Sequence, residues 1–366
     1  MNNAKNIACD VLYRPIDCRF EEKIRRFQGC PTLAVTHKGR IYAGWYSGGV
    51  REPDMENYNL LIYSDDQGIN WSNTLLVIPS SKENFVHALD IQLWTDPKGH
   101  LHVYWVQNNT KLDSGVLPVT QETQPLVAFD GYLYDDFEHA WWEIICENPD
   151  EENPIFSAPR YIGKGFLRSK PLVLDNGTWL CFNYDQIEEN YGYSVSCDEG
   201  KTYSRCYGAK KLDTKFDEAM AYQKADGSIR MFARTWLGEL AESNSYDNGS
   251  TWTEAKLSGI DNANTRFYIS RTPSGKVLLV NNDDRTVRKN MTLYLSEDDG
   301  KTWKYKRCID TREGVSYPDV DFYGEKIYLI YDRERVGAKE ILFVELTEAD
   351  IIDPSRLVNV SIISKP

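Results

Sequence analysis

Ser-Tyr-Asp-Asn-Gly-Ser-Thr-Trp, residues 245–252, decides the fold, because three other stretches repeat its pattern Ser-x-Asp-x-Gly-x-Thr-Trp. They lie at residues 64–71, 196–203 and 296–303, and only Asn70 and Tyr203 depart from the pattern. Each copy follows a run of strand-forming residues. Glycine permits positive φ and the Asp carboxylate can accept bonds from N–H groups of a turn, so each copy predicts a turn between two strands. We call these four stretches the Ser-x-Asp turns and expect them to be structural rather than catalytic.

A second repeat places a glycine turn before a strand of large apolar residues. The glycines of this repeat are Gly39, Gly99, Gly177, Gly227, Gly275 and Gly324. They are 60, 78, 50, 48 and 49 residues apart. A period near 50 with several strands in each repeat is typical of propeller blades. The sequence therefore predicts an all-β protein, a six-bladed β-propeller of four-stranded antiparallel blades.

The same spacings predict one domain over residues 1–366, with blade repeats from about 31 to 346. The 78-residue step indicates an enlarged second blade with a degenerate turn at residues 148–159. It also contains an acidic, aromatic excursion at residues 107–140, which suits a pocket cover or a subunit interface equally. We expect residues 6–13 to form a strand that closes the last blade. A short helix capped by Thr347 is expected at residues 347–352.

Charge and composition narrow the classes of partner. The chain has 42 basic and 55 acidic residues and a net charge of −13, which disfavours nucleic acid and anionic membranes as partners. No apolar signal segment or run of 18 apolar residues is visible, so we expect a cytoplasmic protein that does not span a membrane. The eight cysteines contain no Cys-x-x-Cys pair and are expected to be reduced. Oligomeric state stays open.

The four Ser-x-Asp turns resemble the Asp-box of sialidases and other bacterial-neuraminidase-repeat proteins. Three further segments carry the resemblance. Residues 217–234 are similar to the sialidase segment in which a Glu opens one strand and an Arg ends the next, here Glu218 and Arg234. Arg288 stands where a sialidase pocket arginine precedes an Asp-box strand. Ser-Tyr-Pro-Asp at residues 316–319 resembles the segment with the nucleophilic tyrosine.

This resemblance implies a catalytic set. Tyr317 would be the nucleophile, Glu218 its base and Asp54 the acid/base residue, with Glu52 and Glu56 as rivals of Asp54. A phenol suits a sugar with a carboxylate on its anomeric carbon, because it avoids the like charge of a carboxylate nucleophile. The expected substrate-binding residues are Arg234, Arg288, Arg26, Asp90, Arg266 and Asp319. For Arg266, as for Arg271, a salt bridge across blade strands is an equal alternative.

One position departs from the sialidase pattern. Sialidases begin the first blade with an Arg two residues before a Pro, whereas this chain has Gly29 before Pro31. In this it resembles uncharacterised sialidase-like propellers with Gln-Gly-x-Pro. Arg26 is three residues earlier, about 10 Å away at about 3.3 Å per residue, and would need another backbone path to enter the pocket. We therefore expect a ligand other than sialic acid held in the ordinary way.

The leading hypothesis is a retaining exo-glycosidase that removes a terminal acidic sugar, sialic acid or a related ulosonic acid. One alternative is a polysaccharide lyase or rhamnosidase acting on uronate-linked glycans with His87 as base. Another is a non-catalytic carbohydrate-binding propeller. No cofactor or metal is expected, since His100 and His102 lack an evident third ligand and residues 298–300 lack the acids of an EF-hand.

Overall fold

The computed structural model describes residues 7–84, 86–112, 132–214 and 216–366. Apart from two 3-10 helices, Cys18–Phe20 and Glu22–Ile24, and the helix α1 (Glu348–Ile352), its regular elements are strands. The strands are β1 (Leu12–Tyr13), β2 (Phe27–Val35), β3 (Ile41–Gly48), β4 (Tyr58–Ser64), β5 (Leu76–Pro79), β6 (Val86–Thr95), β7 (Leu101–Leu112), β8 (Tyr132–Cys146), β9 (Arg160–Lys164), β10 (Phe166–Leu167), β11 (Leu172–Val173), β12 (Trp179–Cys181), β13 (Asn183–Tyr184), β14 (Asn190–Ser196), β15 (Ser204–Lys210), β16 (Met220–Gln223), β17 (Ile229–Ala233), β18 (Glu239–Ser245), β19 (Lys256–Asp261), β20 (Tyr268–Arg271), β21 (Val277–Asn282), β22 (Met291–Ser296), β23 (Tyr305–Asp310), β24 (Val315–Tyr323), β25 (Lys326–Arg333), β26 (Glu340–Thr347) and β27 (Ser361–Ser364).

Each blade is a sheet built from strands that follow one another in the chain. In the described residues the six blades have the orders β2-β3-β4-β5, β6-β7-β8-β9, β11-β12-β14-β15, β16-β17-β18-β19, β20-β21-β22-β23 and β24-β25-β26-β27. β10 and β13, which precede and interrupt the third blade in the sequence, form a separate two-stranded sheet. Sequential antiparallel order needs only hairpin connections, which is why the glycine period was informative. The predicted all-β class of a six-bladed β-propeller with four-stranded blades is confirmed.

The repeated glycines lie where the period predicts. Each connects the first strand of its blade to the second, and all six have positive φ, between 57° and 94°. This left-handed region is open to glycine without the steric cost that other residues meet there. The spacing of the blades in the sequence thus follows directly from the spacing of these turns.

The Ser-x-Asp turns connect the third strand of a blade to its fourth, and all four are built alike. The Ser hydroxyl donates to the Asp carboxylate at 2.8–2.9 Å and accepts the Gly N–H at 2.8–2.9 Å. The carboxylate also accepts the N–H four residues after the Asp, at 2.8–2.9 Å. These bonds satisfy backbone donors of the turn, so the repeated residues hold hairpins closed.

The prediction for the N-terminal strand is wrong. β1 pairs with β5 as a fifth strand of the first blade, through Leu12 opposite Val77 and Tyr13 opposite Leu76. In the last blade the fourth strand is β27, from the C-terminal end of the chain, so the N-terminal segment does not form that strand. The expected helix is confirmed: Thr347 precedes α1 and donates both its N–H and its hydroxyl to the Asp350 carboxylate, at 2.8 and 2.7 Å.

In the excursion of the second blade, β7 and β8 pair as far as Leu112 opposite Tyr132. Residues 113–131, the rest of the excursion, lie outside the described residues. The degenerate turn at residues 148–159 connects β8 to β9, the third and fourth strands of that blade. All eight cysteines are free thiols. Within the described part of the chain, no helix is long and apolar enough to cross a membrane.

The chain divides into two compact units. The first comprises the chain up to Phe166 with Glu334–Ile341 and Ile362–Pro366, and its core is formed by β2–β8 side chains such as Trp105 and Ile91. The second comprises Leu167–Arg333 and Leu342–Ser361, with cores around Leu279 and Leu180. The sequence-based expectation of one domain stays a prediction.

Candidate active site

Tyr317 occupies a bulge in β24. The register of β24 with β25 shifts between Ser316 and Asp319, and Tyr317 adopts a left-handed φ of 55°. Such a conformation is uncommon for a bulky residue and directs the side chain away from the regular pleat. The ring is 7% exposed. The first strand of the sixth blade therefore presents one tyrosine out of register with its neighbours.

Arg234 connects Glu218 to Tyr317. Its Nη1 nitrogen is 2.9 Å from Glu218 Oε2 and donates to the Tyr317 hydroxyl at 3.1 Å. Its Nε donates to Asn264 Oδ1 at 2.7 Å, which fixes the orientation of the guanidinium. Glu218 lies two residues before β16 and Arg234 directly follows β17, so one hairpin supplies both charges. The structure brings together these three residues as the sequence predicts.

Three further guanidinium groups surround the Tyr317 ring. The guanidinium carbons of Arg266, Arg288 and Arg168 are 5.2, 5.6 and 5.7 Å from the ring centroid. Arg168 Nε also lies 3.8 Å from Glu218 Oε1. With Arg234, four guanidinium groups lie close to Tyr317 or Glu218. These positive charges favour an anionic ligand, or negative charge that develops on the phenol oxygen.

The arginines also control the charge of Glu218. Burial raises the pKa of this carboxyl, but the charges of Arg234, Arg168 and Arg266 lower it more, so the pKa lies below its ordinary value. Burial lowers the pKa of Arg234, but the neighbouring Tyr317 and Glu218 raise it above the ordinary value. Both groups are therefore ionised at neutral pH, as a base and an anion ligand require.

Arg266 holds the backbone of the tyrosine bulge. Its side chain is fully buried, and Nη2 donates to the carbonyls of Tyr317 and Pro318, both at 3.2 Å. Nη1 reaches the Arg168 carbonyl at 3.5 Å. The substrate-binding role and the salt bridge that we expected of Arg266 stay predictions. For Arg271 the salt-bridge alternative is confirmed, because it forms an ion pair with Asp299.

Asp319 and Arg288 complete the candidates in the second unit. Asp319 is buried, and its Oδ2 is 3.9 Å from the Lys170 ammonium, which lies 3.2 Å from Asp321. Arg288 donates from Nη2 to the Asn264 carbonyl at 2.9 Å, so Asn264 orients two of the arginines.

Asp54, in the first unit, holds a loop. It is 5% exposed, and its two carboxylate oxygens accept the N–H groups of Val50 and Glu56, at 3.0 and 2.8 Å. Its rivals have other partners: Glu56 pairs with Lys82, while Glu52 pairs with Arg335 at 2.8 Å. The structure thus gives Asp54 a clear local role in organising residues 50–56.

The remaining predicted residues of the first unit differ in exposure. Asp90 is 7% exposed at a bulge of β6 and has a φ of 54°, matching Cys30 in β2 with a φ of 55°. Ligand atoms of Cys30, Glu52 and Asp90 lie within 4.8 Å of one another. Arg26 is exposed. His87 is fully buried, and burial lowers its pKa to about 4, so it offers little to a substrate in this structure.

The chain is similar to known proteins in part of its sequence and in its fold. Residues 148–328 match the family described as the BNR repeat-like domain. An anhydrosialidase from Macrobdella decora is 26% identical in an alignment of 239 positions that covers 58% of this chain. The chain is a six-bladed β-propeller that is similar to sialidases over part of its length. The match to the Macrobdella protein spans only 31% of the length of that protein.

Two solved structures share the fold of this chain. A leech intramolecular trans-sialidase complexed with 2,7-anhydro-Neu5Ac has a TM-score of 0.71 at 15% identity, covering 93% of this chain and 71% of that one. The intramolecular trans-sialidase of Ruminococcus gnavus, in complex with oseltamivir carboxylate, has a TM-score of 0.69 at 14% identity, covering 94% and 98%. Similarity at this level of identity concerns the fold.

Three residues of this candidate site were not predicted from the sequence, namely Arg168, Lys170 and Asn264. A signal for the first two exists. Residues 168–171 read Arg-Ser-Lys-Pro, and residues 315–318 read Val-Ser-Tyr-Pro, so a Ser-x-Pro step recurs in the first segment of two blades. When the two Ser-x-Pro motifs are aligned, Lys170 occupies the position of Tyr317 in the repeat. Asn264 carries no comparable pattern beyond a φ of 50° that asparagine tolerates.

Proposed function

We propose that this chain is a retaining exo-glycosidase that releases a terminal acidic sugar, sialic acid or a related ulosonic acid, from a glycoconjugate or oligosaccharide. One observation carries the proposal: Glu218 and Tyr317 contact the same nitrogen of Arg234, at 2.9 and 3.1 Å, amid three more arginines. The names of the relatives, an anhydrosialidase and intramolecular trans-sialidases, support the substrate class.

In this proposal the arginines bind the substrate carboxylate. Arg234 and Arg288 are the assigned partners, because a guanidinium bonds a carboxylate through two parallel donors. Arg168 adds positive charge from the third blade. Arg266 donates to the backbone carbonyls of Tyr317 and Pro318, so in this proposal it adds positive charge and positions Tyr317 rather than bonding the substrate directly.

The Tyr317 hydroxyl is the proposed nucleophile. A neutral phenol is a weak nucleophile, so it needs a base, and ionised Glu218 has that role. Their oxygens are no more than 6.0 Å apart, since both contact Arg234 Nη1 at 2.9 and 3.1 Å. The proton passes through one water or after a closer approach. Attack at the anomeric carbon forms a glycosyl-tyrosine and breaks the bond to the leaving group, which takes a proton from the acid residue. Water then displaces Tyr317, which regains its proton from Glu218, and the sugar is released with retained configuration.

Asp54 remains the proposed acid that protonates the leaving group, with Glu52 as its nearest rival. Asp54 uses both oxygens to organise its loop, whereas Glu52 is only partly buried beside Cys30. The lyase or rhamnosidase alternative loses support from the full burial of His87. The non-catalytic alternative loses support from the ionised Glu218 near the tyrosine.

A screen of the purified protein against sialosides, other ulosonosides, uronides and rhamnosides tests the proposal. We expect release of an acidic sugar, with standard aryl sialosides cleaved weakly, because Gly29 supplies no guanidinium and one charge-assisted bond is worth about 1.5–3 kcal/mol. This corresponds to about 10- to 150-fold in rate. Gly29→Arg should then raise sialoside cleavage. Formation of an unsaturated uronate would contradict the proposal and establish the lyase alternative.

A further inference from the structure

A cavity lined by residues of the first unit lies apart from the residues of the Tyr317 cluster in the sequence. Its volume is about 400 Å³, which falls in the range of small-molecule sites. The cations in its lining are Arg19, Arg25, Arg26 and Lys82, whereas Glu56 is its one acidic residue among the described residues. Phe20, Met55 and Tyr58 contribute apolar surface. This local excess of positive charge stands out in a chain with a net charge of −13.

Two of the four cations are already neutralised by carboxylates. Arg19 forms an ion pair with Asp17 at 2.6 Å, and Lys82 forms one with Glu56. Both pairs are exposed, so they contribute little attraction to a further anion.

Arg25 is a buried cation whose partners are neutral. It is 6% exposed, and its guanidinium donates to the Phe20 carbonyl at 3.2 Å and to the hydroxyls of Tyr58 and Ser364, each at 3.3 Å. In the described part of the chain it forms no ion pair with a carboxylate. Glu22 reaches it only through the Ser364 hydroxyl. A buried charge without a counter-ion favours an anion at the cavity wall.

Arg26 adds a second charge at the same cavity. Its N–H donates to the Gly48 carbonyl at 2.9 Å, which fixes the backbone at the start of β2. Its side chain is exposed, and within the described ranges its guanidinium has no hydrogen bond or ion pair. The backbone is therefore fixed while the five guanidinium donors stay open to a ligand.

We propose that this cavity binds the carboxylate of an acidic sugar unit, with Arg26 as the exposed ligand and Arg25 as the buried counter-charge. A planar carboxylate matches the donor fork of arginine. The apolar side chains at Phe20 and Met55 provide a surface for the faces of a sugar ring, and the volume suits one monosaccharide. This site does not depend on catalysis at Tyr317 and would hold a second part of an acidic glycan.

Calorimetric titration of the full chain with methyl β-D-glucuronide tests the site, with methyl β-D-glucoside as the neutral control ligand. We expect the glucuronide alone to bind. Arg26→Gln should weaken binding about tenfold or more without a change in Tm, because one charge-assisted contact is lost and the side chain is exposed. Lys82→Gln is the matched control in the same cavity, and we expect little change because its charge is already paired.

Arg234→Gln separates this cavity from the Tyr317 cluster. If the cavity binds the sugar, binding persists in Arg234→Gln and is weakened in Arg26→Gln. Three results would overturn the proposal: no binding by the wild-type chain at millimolar ligand, binding lost in Arg234→Gln but intact in Arg26→Gln, or equal weakening by Lys82→Gln and Arg26→Gln. None of these results decides the glycosidase proposal, which concerns turnover at Tyr317.

Discussion

Glu218 and Tyr317 share one guanidinium nitrogen, Arg234 Nη1, at 2.9 and 3.1 Å. A single cation thereby holds a carboxylate and a phenol on different blades no more than 6.0 Å apart. The shared cation also keeps Glu218 ionised, since burial alone would raise its pKa and the arginines reverse that effect. This arrangement links the electrostatics of the cluster to its proposed chemistry.

Glu218→Gln should lower kcat by about 10²- to 10⁴-fold, the usual contribution of a general base. Because the pKa of Glu218 is lowered below its ordinary value of 4.5, the wild-type base is ionised at higher pH and protonated as pH falls through that lowered pKa. The acid limb of kcat should therefore begin below pH 4.5 and be absent from the variant. A kcat–pH profile measures both effects.

Asp217→Asn is the control for Glu218→Gln. Asp217 is the adjacent buried carboxyl, 2.9 Å from the Lys211 ammonium, and burial raises its pKa to about 6. We expect it to retain kcat near the wild-type value. Equal losses in the two variants would show that any buried charge in this hairpin matters and would remove the specific role of Glu218.

Arg266→Lys should lower kcat about 10- to 100-fold and leave KM nearly unchanged. A lysine cannot hold the carbonyls of Tyr317 and Pro318 with one planar fork, and small misplacements of a reacting group cost rates of this order. Arg271→Lys makes the same substitution at an arginine that holds the carbonyls of Gln223 and Gly275, and should leave kcat unchanged. A wild-type kcat in Arg266→Lys would refute the positioning role.

Glu218 and Arg266 illustrate which parts of the site can be predicted from the sequence and which cannot. Glu218, Arg234 and Tyr317 lie in or beside the first two strands of their blades, and the resemblance of these segments to sialidases was enough to predict them together. The partners of Arg266 are backbone carbonyls, and no residue type in the sequence marks a carbonyl. Its role therefore depended on the path of the bulge at Tyr317, which is visible only in three dimensions.

Which strand pairs with the edge of a blade is likewise not predictable from local sequence. Hairpins between consecutive strands are local, so glycines such as Gly227 predict them directly. The partner of β1 is chosen by which blade edge is unoccupied, and β27 takes the edge of the last blade. That competition is non-local and leaves no signal in residues 6–13.

Asp247→Ala should lower Tm without loss of kcat. Asp247 accepts the Thr251 hydroxyl at 2.6 Å and the Thr251 N–H at 2.8 Å within a turn at the end of β18. The bonds to Thr251 lower the pKa of Asp247, so its stabilisation is present above the ordinary value of 3.8 and is lost as pH falls through the lowered pKa. Thermal melts of wild type and variant should therefore diverge at neutral pH and converge at acidic pH. An inactive variant with an unchanged Tm would disprove this placement.

Loss of the proton from His102 should lower the thermal stability of the protein as pH rises. Burial lowers its pKa, but the carboxylates of Asp96 and Glu143, at 3.4 and 2.6 Å, raise it above the ordinary 6.5. The stabilisation from the protonated imidazole is complete below pH 6.5 and is lost as pH rises through the raised pKa. His102→Gln should flatten the dependence of Tm on pH above pH 6.5, whereas exposed His37→Gln should not. Parallel Tm–pH curves for wild type and His102→Gln would contradict this.

The most direct test of the central claim is the kcat of Tyr317→Phe on the acidic-sugar glycoside that the wild-type chain cleaves fastest. The substitution removes one hydroxyl and keeps the ring among Arg168, Arg266 and Arg288. We predict a loss of about a thousandfold or more in kcat, with Tm and substrate binding nearly unchanged. A Tyr317→Phe variant with wild-type kcat would contradict the account.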